Sequence, residues 1–407
     1  MLIVKTFRYR LYPSMAQEHL LEQTLETCRR FYNACLAERK EAYEQRGESI
    51  GKYAQLREVK ELKATNPYAA DIHSHILQVV VSDLDKAFQA FFRRIKLGEI
   101  PGYPRYKGKD RFDCIGLKEY GNGFKIDGRR LKISGVGRVR MRWHRPIEGR
   151  IKTLRIRHAA DGWYASFACE VERQPLPETG QAVGADVGIS TLIATSDGQR
   201  IENPKWYRAE QAELRLLQRT VSRRQKGGSN RRKAVVQLQR KHAKIANRRK
   251  DYMDKQVHDW VVHYDLIALE DLQILNMVQN HKLARSILDG GWGYLKQQLT
   301  FKAAEAGREL VLVKPAYTSR TCSHCGRIFE DLTLADRWVE CECGLSLDRD
   351  INAARNILKR ALQNRGGQPR WELTWAVAPC VSQEASALLG VGSVTDIIGS
   401  LLICLSG

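Results

Sequence analysis

The sequence near residue 350 reads Cys322-Ser-His-Cys325, then Cys341-Glu-Cys343-Gly344, and almost at once Asp348-Arg-Asp-Ile-Asn-Ala-Ala354. Two cysteine pairs at this spacing are close to the pattern of a two-knuckle zinc ribbon, in which four thiolates surround one ion. The second pair is one residue tighter than usual, which leaves open whether His324 replaces a cysteine. We favour one structural zinc over four unbound surface thiols, since a four-cysteine site has no open position for catalysis.

The motif after the second cysteine pair supplies an acid at a helix start. Asp350 would open this helix, whose N-terminus favours an ionised carboxylate, and Asp348 would cap it. Small residues on the inner face, Ala353 and Ala354, would let the helix lie close to a sheet. The ordinary alternative is that both acids only cap the helix.

Two further acids occur in strand-like frames upstream. Asp186 lies in Val183-Gly-Ala-Asp-Val-Gly-Ile189, where alternation puts it on one face with Gly184 and Gly188. Because glycine has no side chain, we expect Gly184 and Gly188 to leave room for metal ions and a phosphate to approach the backbone. Glu270 ends the apolar run 265–270, at the edge where open α/β sheets place ligand-handling residues, with Asp271 as the alternative.

The three acids are more informative together than singly, because each alone would more often be a solvated surface carboxylate. Carboxylates are the hard oxygen ligands that Mg²⁺ accepts. Two such ions, about 3.5–4 Å apart, can activate a water and stabilise the leaving 3′-oxygen. Asp186, Glu270 and Asp350 therefore predict a metal-dependent nuclease.

Composition points to a nucleic-acid partner. The chain has 407 residues, enough for two or three domains, and 67 Lys and Arg against 46 Asp and Glu give a net charge of +21. A merely soluble basic protein or a ribosome-associated one is the alternative, and a membrane surface is disfavoured. The absence of a signal peptide and the ten scattered or clustered cysteines favour a reducing cytoplasm.

A strongly basic helical pair lies between two of the strand-like runs. Between Lys205 and Lys250 the sequence has sixteen Lys or Arg and two acids. A charge run is usually a solvated face, but this density favours contact with phosphates. The candidate contacts are Arg223, Arg224, Arg231, Arg232, Arg248 and Arg249.

Hydrophobic periodicity predicts two architectures along the chain. Residues 2–11 alternate as a strand, helices follow from Ser14 to Gly47 and from 71 to 98, and a hairpin turns at Asp161-Gly162. The predicted inward face of the second helix is formed by Ile76, Val80, Leu84, Phe88, Phe91 and Ile95. These elements predict a β-barrel interrupted by a helical insertion. Strands at 182–195, 264–270 and 309–314 then alternate with helices at 205–260 and 292–306, which predicts an α/β sheet with a parallel part.

Several stretches resemble the TnpB (OrfB) family, RNA-guided nucleases of insertion sequences that are related to the type V CRISPR effectors. The resemblance covers roughly residues 1–362, and the DRDINAA motif joined to the cysteine knuckle is its most specific part. The matching stretches are Arg8-Tyr-Arg-Leu-Tyr-Pro13, Gly184-Ala-Asp-Val-Gly188, Leu269-Glu-Asp-Leu272, Thr318-Ser319 before Cys322, and Asp348-Arg-Asp-Ile-Asn-Ala-Ala354.

The resemblance implies an α/β multidomain protein with two split domains. A RuvC nuclease domain of RNase H-like fold is expected over 180–316 and 346–362, with a zinc-binding insert at 317–345. A wedge-like β-barrel is expected over 1–13 and 99–175, with a helical recognition insertion at 14–98. Residues 363–407 match nothing in the family and are expected to form a disordered tail.

The resemblance also implies the chemistry. Asp186, Glu270 and Asp350 become a catalytic triad that binds two Mg²⁺ ions, and Cys322, Cys325, Cys341 and Cys343 bind one structural zinc. A guide RNA pairs with the target double-stranded DNA, while the protein reads a short target-adjacent motif, which Gln78 would face.

Other functions stay open at this stage. The chain could be a guide-directed repressor that binds without cutting, although all three acids are present. It could instead be an RNA-independent transposase, or a miniature CRISPR effector with the same mechanism. The adjacent motif, the guide, the cut pattern and the oligomeric state are not encoded in any pattern we find.

Overall fold

The computed structural model describes residues 2–109, 111–333 and 335–363. These residues form two compact units, one spanning 2–172 and the other beginning at Arg173. The predicted tail over 363–407 lies outside the described residues, apart from Gln363, which ends the last helix. No helix within the described ranges is long and apolar enough to cross a lipid bilayer.

The first unit is a nearly closed, barrel-like sheet with helices inserted after its first strand. Its strands are β1 (Leu2–Tyr12), β2 (Cys114–Leu117), β3 (Glu119–Tyr120), β4 (Gly123–Asp127), β5 (Arg130–Ile133), β6 (Gly137–Met141), β7 (Arg150–Ala159) and β8 (Gly162–Glu172). The inserted helices are α1 (Met15–Arg46), α2 (Lys52–Thr65), α3 (Pro67–Ala70) and α4 (Ser74–Lys96). The strand order is β2-β7-β8-β1-β6-β5-β4-β3, which confirms a barrel-like sheet interrupted by a helical insertion.

Local sequence signals explain the first elements of this unit. The Ser14 hydroxyl accepts from the Gln17 backbone N–H at 3.3 Å, and the Gln17 side chain accepts from the Ser14 N–H at 3.1 Å. This capping box starts α1, and Gly47, in a left-handed conformation, ends it. The predicted hairpin is also confirmed, since Ala159 pairs with Gly162 across the turn between β7 and β8.

Two helical predictions for this unit need correction. Helix α2 was not predicted, because it buries only Gln55 and Val59 and therefore has little apolar periodicity. In α4 the predicted inward face is correct for Ile76, Val80 and Leu84 but wrong for Ile95, which is 49% exposed. Of the last six residues of α4, none is buried and four are exposed, so the apolar stripe extends beyond the surface on which the helix packs.

The second unit contains a five-stranded sheet, a two-stranded sheet and, within its described residues, seven helices. Its strands are β9 (Ala182–Val187), β10 (Thr191–Thr195), β11 (Arg200–Glu202), β12 (Leu266–Glu270), β13 (Glu309–Val313), β14 (Trp338–Glu340) and β15 (Ser346–Asp348). Its helices are α5 (Trp206–Ala209), α6 (Gln211–Arg223), α7 (Ser229–His263), α8 (Ile274–Met277), α9 (Ala284–Gly290), α10 (Trp292–Ala306) and α11 (Arg349–Gln363). The strands predicted at 264–270 and 309–314 and the helix predicted at 292–306 are confirmed to within a few residues. The helical region predicted at 205–260 consists of α5, α6 and α7, whereas the strand predicted at 182–195 is wrong, because the chain reverses direction over 188–190 and forms two antiparallel strands, β9 and β10.

The five-stranded sheet has the order β11-β10-β9-β12-β13. The pairs β11–β10 and β10–β9 are antiparallel, whereas β9–β12 and β12–β13 are parallel. The predicted parallel part of the sheet therefore consists of β9, β12 and β13. Strands β9 and β12 each have a neighbour on both sides, and β12 is buried over 266–269 and β9 over 183–185.

Alternation sends the two faces of the central strands to different helices. Val183, Ala185, Ile267 and Leu269 pack in one core with residues of α7 and α10. The opposite face of β12, with Leu266 and Ala268, packs against Ile357 and Ala361 of α11. Because Asp186 and Glu270 alternate in step with this second set, both carboxylates belong to the face that α11 covers.

Candidate active site

The parallel register of β9 and β12 brings the first two acids together. Leu269 pairs with Ala185, and the pairing runs in step from Leu266 and Ala182. One residue further along, Asp186 and Glu270 occupy equivalent positions on adjacent strands, with side chains on one face. Adjacent strands lie roughly 4.8 Å apart, so the two carboxylates are neighbours.

The third acid reaches this edge at the start of α11. The Asp348 carboxylate accepts from the backbone N–H groups of Asp350 at 2.9 Å and Ile351 at 3.2 Å, which confirms the predicted cap. A second oxygen of Asp348 accepts from Arg200 at 2.8 Å. With Asp348 occupied in this way, the half-buried Asp350 is left to face the other acids.

Gly184 allows α11 to lie against the sheet. A Cβ added at Gly184 would be 2.2 Å from the backbone oxygen of Ala354 and 2.7 Å from the nitrogen of Leu358. The expectation that Gly184 leaves room for metal and phosphate is therefore wrong, because backbone of α11 occupies that space. Gly188 is likewise filled, since its added Cβ would be 2.7 Å from the Thr191 oxygen.

The charges of the three acids interact. Burial raises the pKa of Asp186 well above its ordinary value, and the carboxylates of Glu270 and then Asp350 raise it further. Burial also raises the pKa of Glu270. Such mutual repulsion among half-buried carboxylates is relieved by a bound cation, so the donor set suits a divalent metal ion.

The three carboxylates are not packed as tightly as a preformed cluster. Among the described residues, two groups of His, Cys, Asp or Glu have ligand atoms within 4.8 Å of one another. One is formed by four cysteines, and the other by Glu18, Glu22 and His158 in the first unit. The spacing of the acids at the sheet edge is thus wider than in either group.

A threonine that the sequence analysis quoted without a role touches this site. The buried Thr318 donates its hydroxyl to a carboxylate oxygen of Glu270 and lies 3.0 Å from the Pro315 carbonyl oxygen. This hydrogen bond lowers the pKa of Glu270 against the effect of burial. A single hydroxyl side chain produces no periodic pattern in the sequence. The only sequence feature that pointed to Thr318 was the family-like pair Thr318-Ser319 before Cys322.

Two buried asparagines of α11 hold the same loop. Asn356 donates to the carbonyl oxygens of Thr318 at 2.9 Å and Thr321 at 2.6 Å. Asn352 donates to Thr321 at 2.8 Å and accepts from the Ser323 N–H at 2.9 Å. The helix that carries Asp350 therefore anchors the loop that contacts Glu270.

Asp271, the alternative to Glu270, lies elsewhere. Its carboxylate accepts from the Lys296 ammonium at 2.5 Å, and its backbone N–H donates to Val313. This ion pair and the continuation of the strand direct Asp271 away from Asp186. Of the two neighbouring acids, the structure places Glu270 at the site.

The four cysteines converge after β13 and before α11. Cys322 lies 3.6 Å from Cys343 between sulfur atoms, and Cys325 lies 3.6 Å from Cys341. His324 is outside the group, so the tighter second pair needs no histidine replacement. Gly344, with a φ of 87°, accommodates the tight turn after Cys343. Four sulfurs at this separation fit a tetrahedral zinc site.

The basic helical pair presents part of the predicted arginine set to solvent. Leu214, Val221, Leu238 and Ile245 form its small core. Arg223, Arg224 and Arg232 are exposed, whereas Arg231 is half-buried.

Three of the predicted arginines have partners within the fold, and one of them, Arg232, donates to the Gly227 carbonyl oxygen at 3.1 Å. Arg248 donates to Glu210 at 2.8 Å but is about half exposed. Arg249 donates to the Leu288 carbonyl oxygen and lies 3.8 Å from Asp289, and burial lowers the pKa of its guanidinium. The prediction that Arg249 faces outward to contact phosphates is wrong, because α9 covers this turn of α7.

The first unit contains the predicted residue Gln78 and a cleft lined by arginines that was not predicted. Gln78, on α4, is half-buried and accepts from Lys118 at 3.1 Å. The cleft has no carboxylate among its lining residues, which suits a polyanion. It is lined by Tyr12, Arg129, Arg130, Arg140, Met141, Arg142 and Trp143. The arginines come from two short stretches, 129–130 and 140–142, which meet because Arg130 of β5 pairs with Arg140 of β6.

Family models match three ranges of the chain. The OrfB_IS605 model, described as "Probable transposase", matches residues 166–281. A model described as "Cas12f1-like, TNB domain" matches 292–357, and a "Helix-turn-helix domain" matches 1–48. In the structure, this last range contains strand β1 and the single helix α1 within its described residues 2–48.

Full-length relatives and solved structures agree with these matches. A "Putative RNA-guided DNA endonuclease" of Streptomyces pristinaespiralis is 36% identical over 88% of this chain and 90% of its own. A protein of the same description, InsQ of Escherichia coli, is 31% identical over 87% and 92%. The Cas12f1 chain solved with sgRNA and target DNA shares the fold, with a TM-score of 0.56 at 14% identity over 88% of this chain and 98% of that one. The chain therefore belongs to the TnpB (OrfB) family of insertion-sequence proteins.

Proposed function

We propose that the chain is an RNA-guided DNA endonuclease of a transposable element, which cuts double-stranded DNA beside a short target-adjacent motif. The observation that carries this proposal is the meeting of Asp186, Glu270 and Asp350 at one sheet edge. Relatives that match this chain over 90% and 92% of their own length are named for the same activity. The basic surplus of the chain suits two nucleic-acid partners.

The strand order supports a RuvC domain of RNase H-like fold as the catalytic unit. Three antiparallel strands followed by two parallel ones place β9 and β12 in the centre, with α11 across one face. We assign this domain to 180–316 and 346–362, with the zinc-binding insert at 317–345. The barrel over 1–13 and 99–175 and the insertion at 14–98 are the proposed wedge and recognition parts.

Asp186, Glu270 and Asp350 are the proposed ligands of two Mg²⁺ ions. When bound, Mg²⁺ supplies Lewis-acid activation of water and charge neutralisation at the leaving 3′-oxygen. Asp186 and Glu270 contribute adjacent charges from rigid strands, and Asp350 contributes a third from a helix anchored by Gly184. The Thr318 hydroxyl keeps one Glu270 oxygen oriented and favours the ionised form of the carboxylate.

The remaining assignments concern zinc and nucleic acid. Cys322, Cys325, Cys341 and Cys343 are the proposed ligands of one structural zinc ion. Exposed Arg223, Arg224 and Arg232, together with the arginine cleft of the first unit, are proposed contacts to phosphates of guide RNA and target. Arg231 and Arg248 are weaker candidates because they are half-buried or paired, and Gln78 is proposed to face the adjacent motif.

Sequencing of RNA that co-purifies with the protein, expressed with its native downstream DNA, is the first test. One abundant structured species that ends in sequence from beyond the gene supplies the guide, and a matched duplex is then incubated with Mg²⁺. We expect the duplex to be cut, and Asp186→Ala to abolish cutting while RNA and target binding persist. The nucleolytic site is refuted if Asp186→Ala cuts at the original rate.

Other outcomes would identify the alternative functions. Guide-dependent binding without cutting at any Mg²⁺ concentration would identify a repressor. Heterogeneous RNA that modest salt removes, combined with guide-independent binding of DNA ends, would identify a transposase that acts without RNA. Arg223→Ala with Arg224→Ala should weaken RNA binding and reduce the slope of its salt dependence by about one for each phosphate that the two arginines neutralise.

A further inference from the structure

Tyr317 is an exposed aromatic residue in a left-handed backbone conformation, one residue from the threonine that contacts Glu270. Its φ is 62°, and among the described residues only Lys205 is another non-glycine with positive φ. Bulky side chains rarely adopt this conformation, because the Cβ atom crowds the backbone. Its side chain is nevertheless 59% exposed, so burial of the ring does not compensate the strain.

Side chains hold the backbone of this segment on both sides of Tyr317. Arg360 donates to the carbonyl oxygens of Lys314 at 3.0 Å and Ala316 at 2.6 Å. The Thr321 hydroxyl donates to the Tyr317 carbonyl oxygen at 2.7 Å.

Asn356 completes the series at the Thr318 carbonyl oxygen. The carbonyl oxygens of Lys314, Ala316, Tyr317 and Thr318 therefore each accept a hydrogen bond from a side chain. A strained conformation persists where its surroundings over-determine it, and such positions cluster at functional sites. The hydrogen bonds impose the geometry at Tyr317, and the geometry turns the ring outward.

The ring itself has no partner in the part of the chain that the structure describes. Neither an aromatic contact nor a cation nor a hydrogen bond to its hydroxyl is formed there, whereas its neighbour Thr318 is only 3% exposed and lies against Glu270. The segment continues from β13, whose last residue Val313 is paired with Glu270 in the sheet. Tyr317 is thus displayed beside the catalytic edge at a fixed position.

We propose that Tyr317 stacks on an unpaired base of the DNA strand that enters the active site. This inference rests on the proposed nuclease function and adds a residue that positions its substrate. An aromatic ring stacks on any base, which suits an enzyme whose sequence selection comes from guide pairing. Because the backbone is held in advance, little ordering is needed when the base arrives.

The test uses the protein complexed with its co-purified RNA and a matched DNA duplex. At saturating duplex and Mg²⁺, Tyr317→Ala should slow single-turnover cutting by about 5- to 150-fold, the range expected when one stacked base is released. Target affinity, measured by gel mobility shift, should change less than about twofold, because pairing with the guide dominates it. Tyr317→Phe keeps the ring and should recover the rate.

A glycine variant separates stacking from folding. Tyr317→Gly should slow cutting as the alanine variant does, yet melt at the same or a higher temperature, because glycine adopts positive φ without strain. Phe301→Ala removes another exposed ring of the same unit and should leave the cutting rate unchanged. The inference is overturned if the alanine or the glycine variant cuts within twofold of the original rate, if Tyr317→Phe is as slow as the alanine variant, or if the glycine variant melts lower.

The active-site control distinguishes this inference from the proposed function. If the unsubstituted complex cuts, Asp186→Ala does not, and Tyr317→Ala and Tyr317→Gly cut normally, only the stacking role is wrong. If the unsubstituted complex does not cut, or if Asp186→Ala cuts equally well, the nuclease assignment fails and the inference fails with it.

Discussion

Replacing Gly184 by alanine tests how Asp350 is positioned. The added Cβ would meet the Ala354 oxygen at 2.2 Å, the Leu358 nitrogen at 2.7 Å and the Leu358 Cβ at 2.8 Å. An ordinary contact is at least 3.4 Å long, so atoms must separate by more than about 1 Å. Because the nearest atoms are backbone, a side-chain rotation cannot relieve the clash, and α11 itself has to move.

The displacement has two consequences of known size. Over-packing of this kind costs about 1–3 kcal/mol of folding stability. Asp350 moves with α11, and a misplacement of roughly 1 Å in a catalytic group can slow a reaction about 100-fold. We therefore expect Gly184→Ala to lower the melting temperature of the second unit by several degrees and to slow single-turnover DNA cutting about 100-fold.

A second glycine provides the matched control. Gly293 lies in α10, and a Cβ added there would meet nothing within 4 Å. Gly293→Ala should keep the cutting rate and stabilise the helix by about 0.5–1 kcal/mol. Thermal melting and cutting rates of both variants, measured with the same guide and target, check the reasoning. Normal melting and normal cutting by Gly184→Ala would refute the claim that this glycine sets the position of Asp350.

Three further predictions concern the acids and the cysteines. Thr318→Val should raise the Mg²⁺ concentration for half-maximal cutting about 10-fold or more, since a hydrogen bond to a charged group contributes about 1.5–3 kcal/mol. Thr318→Ser keeps the hydroxyl and should require the original Mg²⁺ concentration; an unchanged Mg²⁺ requirement in Thr318→Val would contradict this prediction. Because the pKa of Asp186 is raised on folding, the metal-free protein should lose stability as pH rises from about 4 through that pKa. Asp186→Asn should therefore melt higher than the original protein at about pH 8 in EDTA and gain less from Mg²⁺; equal melting in EDTA would contradict this. Cys322→Ser should lose zinc, measured by elemental analysis, whereas Cys114→Ser keeps it; full zinc content in the first variant would exclude the site.

Hydrophobic periodicity and the residues that start or end helices predicted most helices and strands, because these signals depend only on residues close together in the sequence. The Ser14 capping box, the glycine end of α1 and the β7–β8 hairpin depend on neighbouring residues alone. Helix α2 was missed because it buries few apolar side chains and depends on tertiary packing for stability. Ile95 was misplaced because periodicity shows an apolar stripe but not where its partner surface ends.

The candidate acids were also within reach of sequence reasoning, since each belongs to a compact motif. Their adjacency was not, because it requires the parallel register that places Glu270 beside Asp186. The prediction that a metal ion or a phosphate lies beside Gly184 was wrong for the same reason. A glycine indicates that another group comes close to the backbone, but it does not indicate which group, and here the group is the backbone of α11.

The sequence by itself determined the residue types and their local frames: three carboxylates, four cysteines, basic helices and the strands and caps around them. Only the tertiary structure decided which of these side chains meet. Thr318 reaches Glu270 across 48 positions, Asn356 anchors a loop 38 positions away, and Arg249 turns inward to Asp289. Such contacts depend on strand order and helix packing, which arise from the whole chain at once, so no local window contains them.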